Sequence, residues 1–192
     1  MDRRKFIQTT GLMSTSLLFP KVLLANSTKT SNKDRFPQPL EPLMKGDVKE
    51  FHLDIDIRQQ EVVPGFKFHT LAFNDQIPGP EIRVNVGDKV RVIFKNNTEL
   101  NHTIHWHGIY VPWRMDGVPY VTQMPVMPGK EFVYEFIAKP YGTHFYHCHW
   151  GTLLHMQTGM YGSLIIEDPD DPIKRQFPYD REYTLVYSAH DS

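Results

Sequence analysis

The chain has 192 residues, with 21 Lys and Arg against 22 Asp and Glu and a formal net charge of −1. That balance leaves no basic surface for nucleic acid, and the apolar stretch near the amino terminus is too interrupted by Ser, Thr, Pro and Lys to span a membrane. A single cysteine, Cys148, rules out an intrachain disulfide, so its thiol is either buried or bound to a metal.

Asp2-Arg3-Arg4-Lys5-Phe6-Ile7 has the paired arginines and following hydrophobe of a twin-arginine export signal. A weakly apolar run from residue 11 to residue 25 completes a leader over residues 1–25, which predicts a periplasmic protein. The leader holds Arg3, Arg4, Lys5 and Lys21 against Asp2, so the remainder carries a net −4. In an oxidising compartment an exposed free thiol is a liability, which favours metal ligation for Cys148. Residues 26–47, rich in Ser, Thr, Lys and Pro, are expected to form a flexible arm.

From residue 51 apolar and polar residues alternate, the period of a half-buried strand. Strands are predicted at 51–57, 66–73, 81–86, 89–96, 103–109, 131–138, 144–149 and 162–167, separated by Gly-Pro and Gly-Asp punctuation. Many short strands without an amphipathic helix predict an all-β, Greek-key β-sandwich over residues 48–168, ample for one core. Residues 169–192 read as a linker, with 181–187 as a possible first strand of a further, absent domain.

Two segments concentrate metal-ligand chemistry. One is Asn101-His102-Thr103-Ile104-His105-Trp106-His107-Gly108; the other contains His147-Cys148-His149, then His155 and Met160. In a strand successive side chains leave by opposite faces. His105, His107, His147 and His149 therefore share one side, and His102 shares the other with Cys148. After Cys148 the chain must turn to bring His155 and Met160 back to the sulfur. Two imidazoles, a thiolate and a distant thioether suit copper in an electron-transfer site, and four imidazoles could bind further copper. Because Cys148 is bonded to both flanking histidines, the two sites would lie on the order of 10–13 Å apart.

The pattern His-x-x-His-x-His followed by His-Cys-His, His155 and Met160 resembles the multicopper oxidases. Ile77-Pro78-Gly79-Pro80, Val86-Gly87-Asp88, Met115-Asp116-Gly117-Val118-Pro119 and Gly159-Met160-Tyr161-Gly162 resemble the amino-terminal, plastocyanin-like cupredoxin domain of that family. The resemblance implies a type 1 copper on His102, Cys148, His155 and Met160, and a share of a type 2/type 3 trinuclear cluster on His105, His107, His147 and His149. Cys148 would take up the electron, and Asp116 would assist proton delivery; an Asp-Gly turn is the plainer reading of Asp116. Met156 is an alternative axial donor, and Met115, Met124 and Met127 could handle cuprous ion. His52, His69, His144 and His190 read as structural.

The implied activity is one-electron oxidation of a small reducing substrate, with O2 reduced to water. In the familiar three-domain laccases Ser stands where this chain has Cys148, so the small two-domain oxidases are the nearer pattern. A trinuclear cluster takes eight imidazoles and the motifs here supply four. The resemblance therefore implies a partner: a second cupredoxin domain or a neighbouring subunit, as in a homo-oligomer such as a trimer. Two rival readings remain. A copper nitrite reductase would leave His149 and the His105/His107 pair surplus, and a single-domain blue copper carrier would leave four same-face histidines without a task.

Overall fold

The computed structural model describes residues 37–189. The leader, most of the arm and His190 lie outside the described residues. Nine strands dominate: β1 (Leu43–Lys45), β2 (Val48–Val63), β3 (Phe66–Phe73), β4 (Gly79–Asn85), β5 (Lys89–Asn96), β6 (Ile104–His107), β7 (Glu131–Ile137), β8 (Gly142–Cys148) and β9 (Tyr161–Glu167). The first sheet runs β1-β2-β5-β7 with β3 added to β2; the second runs β4-β9-β8-β6. Parallel pairs, β2 with β5 and β4 with β9, lie inside otherwise antiparallel ladders.

The two sheets enclose one core, and strand periodicity decides what enters it. In β5, Val90, Val92, Phe94 and Asn96 are buried while Lys89 and Lys95 are exposed. Phe51, Leu53 and Ile55 of β2 and Tyr134 and Phe136 of β7 join them from the first sheet. Ile82, Val84, Ile104, Trp106, Tyr146, Cys148, Leu164 and Ile166 face them from the second. Trp106 lies 5.4 Å from Tyr134, 5.0 Å from Phe136 and 5.9 Å from Tyr146, ring centre to ring centre. Two phenols anchor the ends of this stack. Tyr134 Oη accepts from Ile104 N at 2.8 Å, and Tyr146 Oη donates to Pro80 O at 2.7 Å. Gly162 makes room for the second, since a Cβ there would sit 2.3 Å from Tyr146 Oη.

Several expectations shift. The first long strand reaches from residue 48 to residue 63; its first half pairs with β5 and its second half only with β3, leaving a two-stranded ribbon beyond the sandwich. The expected arm is not free over its described part: β1 pairs with β2, and Leu40 N donates to Glu81 O at 2.8 Å. The strand expected at 103–109 shortens to Ile104–His107, because Gly108 takes a φ of 88°. Two short helices were not foreseen, α1 (Thr152–Gln157) and α2 (Pro172–Gln176). Asp171 caps α2, accepting from Ile173 N at 2.8 Å, and Pro172 stands in its first turn. Residues 181–187 form no strand; the segment passes Arg83, whose guanidinium pairs with Glu182 at 3.2 Å.

Candidate metal centre

Pairing of β6 with β8 sets the site. Ile104 stands opposite Cys148 and His105 opposite His147, so the alternation expected within each strand is locked across the two. Cys148 enters the core, and His147 leaves by the other face.

On the core side three donors converge. Cys148 Sγ lies 3.3 Å from His155 Nδ1 and 3.6 Å from His102 Nδ1. Metal bonds of about 2.0 Å to imidazole and 2.3 Å to thiolate, at trigonal to tetrahedral angles, would separate such donors by about 3.5–3.7 Å. The His102 distance fits one ion as it stands, and the His155 distance fits after the ring withdraws by a few tenths of an ångström. His102 is brought in by an antiparallel bridge to Val126, and His155 by α1, whose N-cap Gly151 follows soon after β8 ends at Cys148. Met160 is fully buried, with its N donating to His155 O at 3.0 Å and its O accepting from Cys148 N at 3.1 Å. His102 Nε2 is held at 2.8 Å by Thr98 Oγ1, and that hydroxyl is 2.9 Å from Asn96 Oδ1. This outer support fixes the ring so that Nδ1 faces the sulfur.

Burial tunes these groups toward ligation. It depresses the His102 pKa to about 3, helped by the neighbouring His155, which is itself lowered by burial. It pushes the Cys148 thiol up to about 11, opposed by backbone bonds from Thr103 and Trp150. Neutral imidazoles are ready ligands; the thiol must surrender its proton when a metal binds.

On the opposite side His105, His107 and His147 offer ring nitrogens within 4.8 Å of one another. His107 Nδ1 and His147 Nε2 are 3.3 Å apart. His149 adds a fourth ring, centred 5.4 Å from His105 and stacked 6.0 Å from His147. Burial lowers the His147 pKa to about 4, and His107 is lowered by burial and then by its imidazole neighbours. His107 is exposed and stacks on Phe145 at 4.4 Å, so this face is open where the other is closed. Asp116 meets His105 twice, its carbonyl at 2.7 Å and its carboxylate at 3.3 Å from Nδ1. Gly117 permits that approach: its φ is 76°, and a Cβ would fall 1.8 Å from Ile104 O.

Comparison with known proteins agrees with this chemistry. The family model described as multicopper oxidase matches residues 56–171. The chain belongs to the multicopper oxidase family. Copper resistance protein A of Escherichia coli is 38% identical over 136 residues, which is 70% of this chain and 22% of that protein. L-ascorbate oxidase of Cucumis sativus is 40% identical over 122 residues, 62% of this chain and 20% of that enzyme. The blue copper oxidase of Nitrosomonas europaea superposes with a TM-score of 0.65 at 45% identity, covering 67% of this chain and 42% of that one. The all-β sandwich is thus the cupredoxin fold of the multicopper oxidases, and this member spans about a fifth of the length of its curated relatives. Its family handles copper, and both donor sets have the chemistry for it.

The structure brings His102, Cys148 and His155 together on one side of β8, with Met160 buried and tied to Cys148 and His155 by backbone bonds, and gathers His105, His107, His147 and His149 on the other. Met124 and Met127 are exposed and Met115 packs against the core, so the three share no common environment. His144 bonds to Pro140 O at 3.1 Å and His52 to Glu50 at 3.2 Å, apart from both donor sets. Sequence reading missed Thr98 and Asn96 behind His102, Phe145 against His107 and the Trp150 carbonyl 3.3 Å from the Cys148 sulfur. A polar pair followed four residues later by His102 was the only available signal for the first of these.

Proposed function

We propose that this chain is the type 1 copper domain of an oxidase that couples one-electron oxidation of a small reducing substrate to reduction of O2. His102, Cys148, His155 and Met160 hold the type 1 ion, and His105, His107, His147 and His149 contribute half of a type 2/type 3 cluster. Copper there supplies one-electron redox chemistry, and O2 activation at the cluster. The observation that carries the reading is the tripeptide His147-Cys148-His149: its middle residue joins the core-side donors, and its neighbours join the opposite set.

The residues divide the work. Burial around Cys148 excludes water from the sulfur, and Thr98 keeps His102 in one orientation. Cys148 provides a bonded route through its own backbone to both flanking imidazoles. The Asp116 carbonyl orients His105, and its carboxylate stands where it can pass a proton to the open histidine face. Because that face presents only four imidazoles among the described residues, a second cupredoxin domain or a neighbouring subunit, as in a homo-oligomeric trimer, completes the cluster. Export by the twin-arginine pathway to the periplasm, after removal of residues 1–25, suits a protein that acquires copper while folded.

Copper counting tests the proposal. With the partner domain or subunit present, the expected result is more than one copper per chain, a type 2 paramagnetic resonance signal, and oxygen consumption without nitrite turnover. One copper per chain with no type 2 signal would make it an electron carrier, and nitrite turnover would make it a reductase.

A further inference from the structure

Two imidazoles of the open face are oriented by a carbonyl behind them. His105 Nδ1 lies 2.7 Å from Asp116 O, and His147 Nδ1 lies 3.0 Å from Cys148 O, so each turns its Nε2 outward. A carbonyl or carboxylate in that position normally fixes the tautomer and the plane of a metal-binding imidazole. His107 has neither among the described residues. Its Nδ1 faces His147 Nε2 at 3.3 Å, and the ring is otherwise exposed. Two metal bonds of about 2.0–2.1 Å at a tetrahedral angle span about 3.3–3.4 Å, so this pair already stands at the separation one ion requires.

An aromatic ring takes the place of the missing partner. Phe145 is directly opposite His107 across the β6–β8 ladder, where paired side chains on one face meet. Their ring centres are 4.4 Å apart at an interplanar angle of 21°, and Phe145 is also nearly parallel to His147, 5.2 Å away at 24°. Phe145 is half-buried on the outer face of the second sheet and is no part of the core. Its far edge lines a groove beside Tyr161 and Met156, a contact that any apolar side chain could make. Only a flat ring can stack on an imidazole. Stacking confines His107 to one plane, and within that plane the bond to His147 selects Nδ1.

We propose that Phe145 is the positioning residue for His107, holding its ring by stacking so that Nδ1 and His147 Nε2 converge on one point. The inference rests on the cluster reading of this face only for the ion finally held there; the orientation of the ring can be measured without metal.

The test compares the unsubstituted full chain with Phe145→Leu, which stays apolar but cannot stack, and with Phe145→Tyr, which keeps the ring. Because His147 Nδ1 donates to Cys148 O, its Nε2 accepts, and the His107 Nδ1 proton should give a slowly exchanging resonance in the metal-free chain. That resonance should persist in Phe145→Tyr and be lost to exchange with water in Phe145→Leu. Zinc, which three imidazoles and a water satisfy, is then titrated while the histidine resonances are followed site by site. Phe145→Leu should weaken zinc at His105, His107 and His147 by about tenfold and Phe145→Tyr by no more than about twofold, with the Cys148 centre unchanged in both. A Leu variant that keeps the proton and the affinity would show that the ring is not needed. A Tyr variant as poor as Leu, or an equal loss at the Cys148 centre, would reduce Phe145 to ordinary packing and overturn the proposal. If the proton follows the ring as expected but the face of the unsubstituted chain takes no zinc, the role of Phe145 stands and the cluster assignment falls.

Discussion

The two faces of β8 make opposite use of histidine. On the core side His102 and His155 are buried, converge on one sulfur and are braced from behind by Thr98 or by a helix. On the other side His107 is exposed, His105 and His149 are half-buried, and only His147 is closed off. On the function proposed above, the first set is complete within the chain and the second is completed by a partner. A ligand set closed by one chain gains its order from folding; one shared with a partner must leave its donors accessible until the partner arrives.

Cys148→Ser should give the largest effect and separates the faces most sharply. Copper affinity at the core site should fall well beyond the roughly 10–100-fold typical of outer-shell changes, and the thiolate-to-copper absorption should vanish. His107→Ala should do neither, lowering only the additional copper bound with a partner present. Absorption and metal titration of both variants check this; a blue Cys148→Ser protein would refute the assignment of the sulfur.

Acid should come next in size. His102 and His147 have pKa values of about 3 and about 4 in the folded chain, against an ordinary 6.5. Above pH 6.5 both folded and unfolded chains keep them neutral, and their contribution is complete. As pH falls from 6.5 toward 3 the unfolded chain takes up protons that the folded chain refuses, so stability drops. Thermal melts of the copper-free chain between pH 7.5 and pH 4.5 should show a falling midpoint, with a smaller fall in His102→Gln. A flat profile would show that these imidazoles are not held neutral by burial.

Thr98→Val should produce the smallest change, weakening copper at the core site by about tenfold through loss of the bond to His102 Nε2. Copper at the opposite face should be unaffected. Asn96 stays anchored to Leu100 O and Val126 O by its amide nitrogen, so the loop should remain folded, and a metal competition titration reads the difference.

Much of this was legible in the linear order of residues. Alternation along β5 and β8, and the two-residue spacings of His105/His107 and His147/His149, fix which side chains share a face, because strand geometry leaves no other choice. That physics also points to an all-β sandwich and the two donor sets; the likeness to a family rests on the motifs themselves. Local rules could not say where strands end or what lies behind a ligand. β2 runs to residue 63 because β3 pairs with it there, and residues 181–187 stay out of a sheet. Thr98 reaches His102 through a loop whose shape is set by Asn96 and by the bridge to Val126. Phe145 likewise meets His107 only once β6 and β8, far apart in the chain, lie side by side. Sequence determined the chemistry that each face of a strand presents; the meeting of distant segments decided which of those groups are closed, braced or left open.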